Sequence, residues 1–334
     1  MHVLIAIPAF DEEATLGSVL ANLPRVLGGA HHTDVVVIDD GSTDRTVDVA
    51  RELGVRVVSH RRNLGLGRAF NTAVGQALEC RADVLVTIDA DGQFDAQQIP
   101  DLIAPIVAGE ADLVTGSRFL GGKRPAGMPR AKYWGNRFFS ALMNWLLGER
   151  LRDVSCGFRA YSLEAILNLN LLGKHTYTQE SIFDLVFKGL RVTEIPITVR
   201  YFQDRKSRVA SNLIRYGLNA LKIIIRTARD FMPLRFFGIF AGVVLAVGAA
   251  LDLWLLIYWL RTGSFSPYKF VGFTGTALLV VGILVLGFAL LADMLDRLRV
   301  NQERLLYQQR KVLFGQGRDT AGRKADARVQ HEQA

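Results

Sequence analysis

A chain of 334 residues is long enough for one large domain or two smaller ones, and its 50% hydrophobic content is near the top of the soluble range. The net charge of +8 gathers beside the most apolar segments, which fits an anionic lipid surface better than nucleic acid. Two cysteines, Cys80 and Cys156, read as free thiols rather than as a disulfide.

Residues 2–8 are apolar but lack a basic stretch and a cleavage site, and Asp11, Glu12 and Glu13 follow at once. The pattern predicts a first strand, Val3–Ile7, and not a signal peptide. Leu16, Val19, Leu20 and Leu23 then recur at helical spacing. A second strand, Asp34–Ile38, runs into Asp39, Asp40, Gly41, Ser42, Thr43 and Asp44, with Ser42 or Thr43 expected to cap the next helix. A third strand, Val55–Ser59, leads through Asn63, Leu64 and Gly65 to a helix from about Arg68 to Leu78. The aliphatic run Val84–Ile88 reads as a buried strand ending at Asp89, Ala90, Asp91, Gly92 and Gln93. A helix around Gln97–Val107 and a strand Asp112–Gly116 complete the alternation, which predicts an α/β fold with a largely parallel, doubly wound sheet.

Asp89 and Asp91 stand two apart at a strand end, where both can converge on one hard cation completed by phosphate oxygens. Magnesium or manganese suits such a donor set. The carboxyl edge of an open α/β sheet is also where ligands bind.

Further on, a stripe of Trp134, Phe138, Leu142 and Trp145 recurs every three or four residues over Arg130–Leu147, and a similar basic amphipathic stretch covers residues 211–235. Such helices lie in the headgroup plane of a membrane. Phe236–Leu260 and Phe270–Ala292 are each long and apolar enough to cross a bilayer. Basic residues cluster before the first span and after the second, so the positive-inside rule predicts a two-helix transmembrane hairpin over 236–292. The domain of residues 1–210, the tail of residues 293–334 and both termini then face the cytoplasm. Asp252 is costly in lipid unless it faces the partner helix or another subunit. In the tail, Leu291, Leu298, Leu305 and Val312 repeat every seven residues, a seam that either joins two subunits or belongs to a lone amphipathic helix. Residues from Gly315 on are expected to be disordered.

The ordered motifs Ile7–Glu12, Val36–Asp44, Asn63–Gly65, Asp89–Gln93 and Gly116–Arg118 resemble those of the family 2 glycosyltransferases of the GT-A fold. Asp153–Arg159 and the paired spans look like the polyprenyl-phosphate branch, the dolichol-phosphate mannose synthase and bactoprenol glucosyltransferase type. The resemblance implies that Pro8, Phe10, Glu12 and Asp39 hold the nucleoside of a nucleotide sugar. Asp89, Ala90 and Asp91 would take the diphosphate and the metal, and Gln93 would face the sugar or the metal shell.

The acceptor side follows from protonation chemistry. A phosphate monoester, with a second pKa near ~6, needs cations and no general base. Arg118, Arg130 and Lys132 are assigned to it, with the basic loop Arg205, Lys206 and Ser207; Arg205 stands where the family pattern has a glycine. Glu180 occupies the place of a catalytic acid in hydroxyl-using relatives and is expected here to position its neighbours. The expected activity is inverting, metal-dependent transfer of one sugar from a UDP- or GDP-linked donor to polyprenyl phosphate. A processive polysaccharide synthase would want a Gln-x-x-Arg-Trp motif and more spans, neither of which is present. A catalytically silent nucleotide-binding scaffold sits poorly with intact Asp89, Asp91 and Arg118.

Overall fold

The computed structural model describes residues 1–24, 32–122, 124–171, 177–201 and 233–315. Its first strand, β1 (His2–Ala9), is buried from Val3 to Ala9, because neighbours pair with it on both edges and the chain covers both of its faces. β2 (His32–Asp39) joins it in parallel, followed outward by β3 (Arg56–Ser59); β4 (Val84–Thr87) joins the other edge. The sheet continues through β6 (Arg159–Ser162), β5 (Leu113–Ser117) and β7 (Val192–Pro196), giving the order β3-β2-β1-β4-β6-β5-β7. β6 runs antiparallel to both β4 and β5, and the other pairings are parallel. The sheet is therefore largely parallel as expected. The strand the sequence reading overlooked is β6, which is only four residues long and inserts between two strands that precede it in sequence.

Helices α1 (Glu13–Ala21), α2 (Thr46–Glu52), α3 (Leu66–Glu79) and α4 (Ile99–Val107) are the crossovers between parallel strands. α3 turns Phe70, Ala73, Val74, Ala77 and Leu78 to the interior, and α4 turns Ile99, Leu102 and Ile103. β7 stops at Pro196, and beyond it Val199 makes only an isolated bridge to Phe94. α5 (Arg130–Leu147), α6 (Leu163–Asn168) and α7 (Thr178–Phe187) complete this part of the chain.

The chain divides into two compact units, Met1–Leu213 with Leu306–Ala334, and Ile214–Leu305. The second holds α8 (Pro233–Thr262) and most of α9 (Lys269–Gly315), two helices long and apolar enough to cross a membrane. They touch through glycines: a β-carbon on Gly248 would meet the Gly275 carbonyl oxygen at 2.8 Å, and one on Gly282 would meet Leu245 at 2.6 Å. Asp252 faces the partner helix, 3.3 Å from the Thr276 hydroxyl. α9 runs without a break through the heptad-spaced tail. The amphipathic stretch 211–235, apart from its last residues, and the tail beyond Gly315 lie outside the described residues.

Candidate active site

Four strand ends deliver the chemistry-bearing residues to one edge. β1 and β2 end in loops stitched together by short polar side chains. The Asp11 carboxylate accepts from the Thr43 amide at 2.8 Å, the Ser42 hydroxyl accepts from the Asp11 amide at 3.0 Å, and the Thr46 hydroxyl accepts from the Glu12 amide at 2.8 Å. Neither Ser42 nor Thr43 caps α2, contrary to expectation. They are spent on this stitch, and Asp44 accepts the Thr46 amide instead, its acidity strengthened by the hydrogen bonds it receives.

Asp39 and Asp40 are both buried, yet they do different work. One Asp39 oxygen takes the Ser42 amide at 2.9 Å; among the described residues the other has no partner. Asp40 is saturated, accepting from His60 Nδ1 at 2.7 Å and from the Leu64 and Gly65 amides at 2.9 and 2.8 Å. Asp40 is thus a fastener for the 61–65 loop. Gly41 permits that loop to close, since a β-carbon there would stand 2.5 Å from the Arg62 backbone and φ is +78°.

Beyond β4 lies the acidic pair. Asp91 bonds its own turn, accepting the Gln93 amide at 3.0 Å, and the Gln93 carbonyl receives the Arg200 amide at 2.9 Å. Asp89 lies against Gly157 and Tyr177: a β-carbon on Gly157 would stand 2.9 Å from a carboxylate oxygen of Asp89. Burial and the adjacent Asp91 push Asp89 up to about 7, against the pull of Arg118 and Arg159. Two crowded acids whose repulsion the protein does not fully relieve suit a hard divalent cation, which supplies the missing positive charge. Glu12 contributes to the same negative field, and its carboxylate lies 2.9 Å from the Thr15 hydroxyl, itself 2.8 Å from the Ala90 carbonyl oxygen. Pro8, Phe10 and Glu12 thus sit at the end of β1, beside the loop that carries Ala90.

The structure separates the cations assigned to the acceptor. Arg118 forms a two-pronged pair with Asp153, at 2.6 and 2.8 Å, and also donates to Ser155 at 2.8 Å. Its side chain is 8% exposed. Lys132, on the first turn of α5, reaches inward: its ammonium lies 5.4 Å from the centre of the Tyr201 ring. Burial and Arg118 hold its pKa down, against Asp91, Asp153 and Asp89. Lys132 therefore shares the electrostatic neighbourhood of both acids. Arg130 is exposed at the start of the same helix. Arg205, Lys206 and Ser207 lie outside the described residues.

Two residues missed as functional candidates shape this edge. Asp153 is fully buried and holds Arg118, its carboxyl kept below the usual range by that partner despite burial. Arg159, also fully buried, donates to the carbonyls of Val154, Cys156 and Thr178 and to the Ser181 hydroxyl, tying the 153–157 loop to the start of α7, which carries Glu180. An arginine opening a strand in the motif Asp153–Arg159 was the available signal, but β6 had to be recognised for it to be read.

The family description Glycosyl transferase family 2 matches residues 4–169. An undecaprenyl-phosphate mannosyltransferase from Micrococcus luteus is 30% identical over 66% of this chain and 96% of its own length. A UDP-N-acetylglucosamine–dolichyl-phosphate N-acetylglucosaminyltransferase from Methanococcus voltae is 30% identical over 65% of this chain and 92% of its own. Among solved structures, glucosyl-3-phosphoglycerate synthase from Mycobacterium tuberculosis, in complex with Mn2+, UDP and glucosyl-3-phosphoglycerate, superposes with a TM-score of 0.52. It is 25% identical and covers 68% of this chain and 78% of its own.

Proposed function

Because this chain belongs to glycosyl transferase family 2 and has the GT-A fold, we propose that it transfers one sugar from a UDP- or GDP-linked donor to polyprenyl phosphate, with inversion at the anomeric carbon. The observation that carries this reading is the acidic pair Asp89 and Asp91 at the sheet edge, with Lys132 inside its field on a helix that exposes Trp134, Phe138 and Trp145 at 65%, 69% and 78%. The relatives' names supply the acceptor class.

In this reading Pro8, Phe10, Glu12 and Asp39 hold the nucleoside, the open oxygen of Asp39 accepting from ribose or base. Asp89, Ala90 and Asp91 line the diphosphate, and Gln93 faces the sugar. Magnesium or manganese held by Asp89 and Asp91 would neutralise the leaving nucleoside diphosphate. Lys132 and Arg130, with Arg205, Lys206 and Ser207, draw in the acceptor phosphate. An oxygen of that dianion bonds to the anomeric carbon as the bond to the donor diphosphate breaks, and the nucleoside diphosphate leaves with the electron pair. No general base is needed, since a monoester with a second pKa of about 6 is already deprotonated at neutral pH. Arg118 fixes Asp153 and adds its charge from a distance. The hairpin of α8 and α9 anchors the protein, with the sheet unit at the cytoplasmic face.

The test supplies the purified full chain with Mn2+, polyprenyl phosphate and radiolabelled UDP- or GDP-sugars. Label should enter the organic phase only when all three are present, and Asp91→Ala should cut the rate roughly 100-fold or more. No lipid-extractable product with any common donor overturns the reading.

A further inference from the structure

At the opposite edge of the same strands stands a second, chemically different cluster. His2 and His32 are register partners at the starts of β1 and β2, and Asp34 lies two residues beyond His32 on the same face of the sheet. His2 Nε2 is 3.0 Å from one Asp34 oxygen and His32 Nε2 is 3.2 Å from the other. Cys80, the residue that ends α3, brings its sulfur to this group: the ligand atoms of His2, Asp34 and Cys80 all lie within 4.8 Å of one another. The imidazole rings are 4.9 Å apart, and the His2 backbone is pinned by its amide to the Asp83 carboxylate at 2.6 Å.

We infer that His2, His32, Asp34 and Cys80 form a binding site for a zinc-class divalent cation. Two imidazoles, a carboxylate and a thiolate are a complete tetrahedral donor set. With metal–ligand bonds of about 2.0–2.3 Å, tetrahedral ligand atoms stand roughly 3.3–3.8 Å apart. The two imidazole–carboxylate distances, each to a different oxygen of Asp34, fall just short of that edge length, and binding would draw in the Cys80 sulfur, within 4.8 Å of His2 and Asp34, and swing His32 onto the same cation. Among the described residues, Asp34 forms ion pairs with these two histidines alone. Arg56 is a competing cation whose charge acts on the Cys80 thiol. Binding requires both imidazoles with the proton on Nδ1, and the thiol proton passes to solvent.

Ligand softness keeps this site apart from the acidic pair at the other edge. Thiolate and imidazole select zinc, whereas Asp89 and Asp91 offer only oxygen and suit magnesium or manganese. A cation here would tie the starts of β1 and β2 to the end of α3, bracing the strands whose far ends carry the catalytic loops.

Cobalt(II) added to the full chain in detergent, purified without a histidine tag and with excess magnesium, tests this. One equivalent should produce thiolate-to-cobalt charge-transfer absorption, and zinc should abolish it and raise the thermal midpoint by several degrees. Cys80→Ser should remove the band while keeping sugar transfer. His2→Gln, which keeps the thiol, should weaken cobalt binding at least tenfold, and Asp91→Asn should leave the cobalt band unchanged. Absence of the band in the unaltered chain, or its survival in Cys80→Ser, overturns the proposal.

Discussion

Arg118 and Lys132 show how two cations of one neighbourhood acquire different tasks. A guanidinium presents a planar fork that matches a carboxylate, and Asp153 takes both prongs in a site closed to water. An ammonium on a flexible stem keeps its donors free to follow a mobile phosphate. Replacing Lys132 by Ala should raise the KM for polyprenyl phosphate about tenfold or more, the worth of one charge-assisted hydrogen bond, and leave the donor KM nearly unchanged. Steady-state kinetics with each substrate varied will show the split. Arg118→Met should act on stability first, because it strands the buried Asp153 carboxylate at a cost of about 3–5 kcal/mol. The expected result is a marked fall in thermal midpoint for Arg118→Met, and a smaller one when Asp153→Asn accompanies it.

At the scale of elements, α5 is apolar on two faces. It packs Phe139 and Met143 inward, with Asn136 and Ser140 buried beside them. Trp134, Phe138 and Trp145 are left outward, so core packing does not account for that stripe. An aromatic face beside basic residues is what a helix presents to a lipid headgroup layer. Changing the three aromatics together to Ala should lower transfer to a long polyprenyl phosphate embedded in vesicles about tenfold or more, with little loss on a short, water-soluble analogue. Equal losses on both acceptors would count against a membrane role for α5. In the hairpin, glycine contacts bring the two helices close, and Asp252 turns to Thr276, so the one acid in the first span has a polar partner. Tyr258 and Tyr268 pack edge to face at 5.0 Å beside the turn, and Trp259 stacks on Phe265 at 5.7 Å. Aromatic clusters of this kind mark a membrane–water boundary.

At the scale of the molecule, one unit carries the sheet and its candidate active-site edge and the other carries the two apolar helices. The orientation argued from basic residues makes a direct prediction. In intact cells, a cysteine introduced by Ser264→Cys, in the connection between the spans, should react with a membrane-impermeant maleimide. One introduced by Glu110→Cys, on the sheet unit, should react only after permeabilisation. The reverse pattern would refute the cytoplasmic assignment.

The alternation of aliphatic runs with amphipathic ones was enough to read the parallel strands, their order along the chain and the two apolar helices, because burial imposes those periods locally. The acidic pair was legible for the same reason, as polar residues that interrupt a buried run at a strand end. What only the tertiary structure decided is who meets whom. β6 inserts antiparallel between strands that precede it in sequence, and that insertion buries Arg159 and turns Asp153 onto Arg118. Arg118, held in that pair, still pulls on Asp89, while Lys132 lies within the field of Asp91 and Asp89. His2, Asp34 and Cys80 at the opposite edge, with His32 beside Asp34, likewise come together only when two strand starts and one helix end are brought to the same corner. Contacts between residues so far apart in sequence leave no local period, and only chain packing creates them.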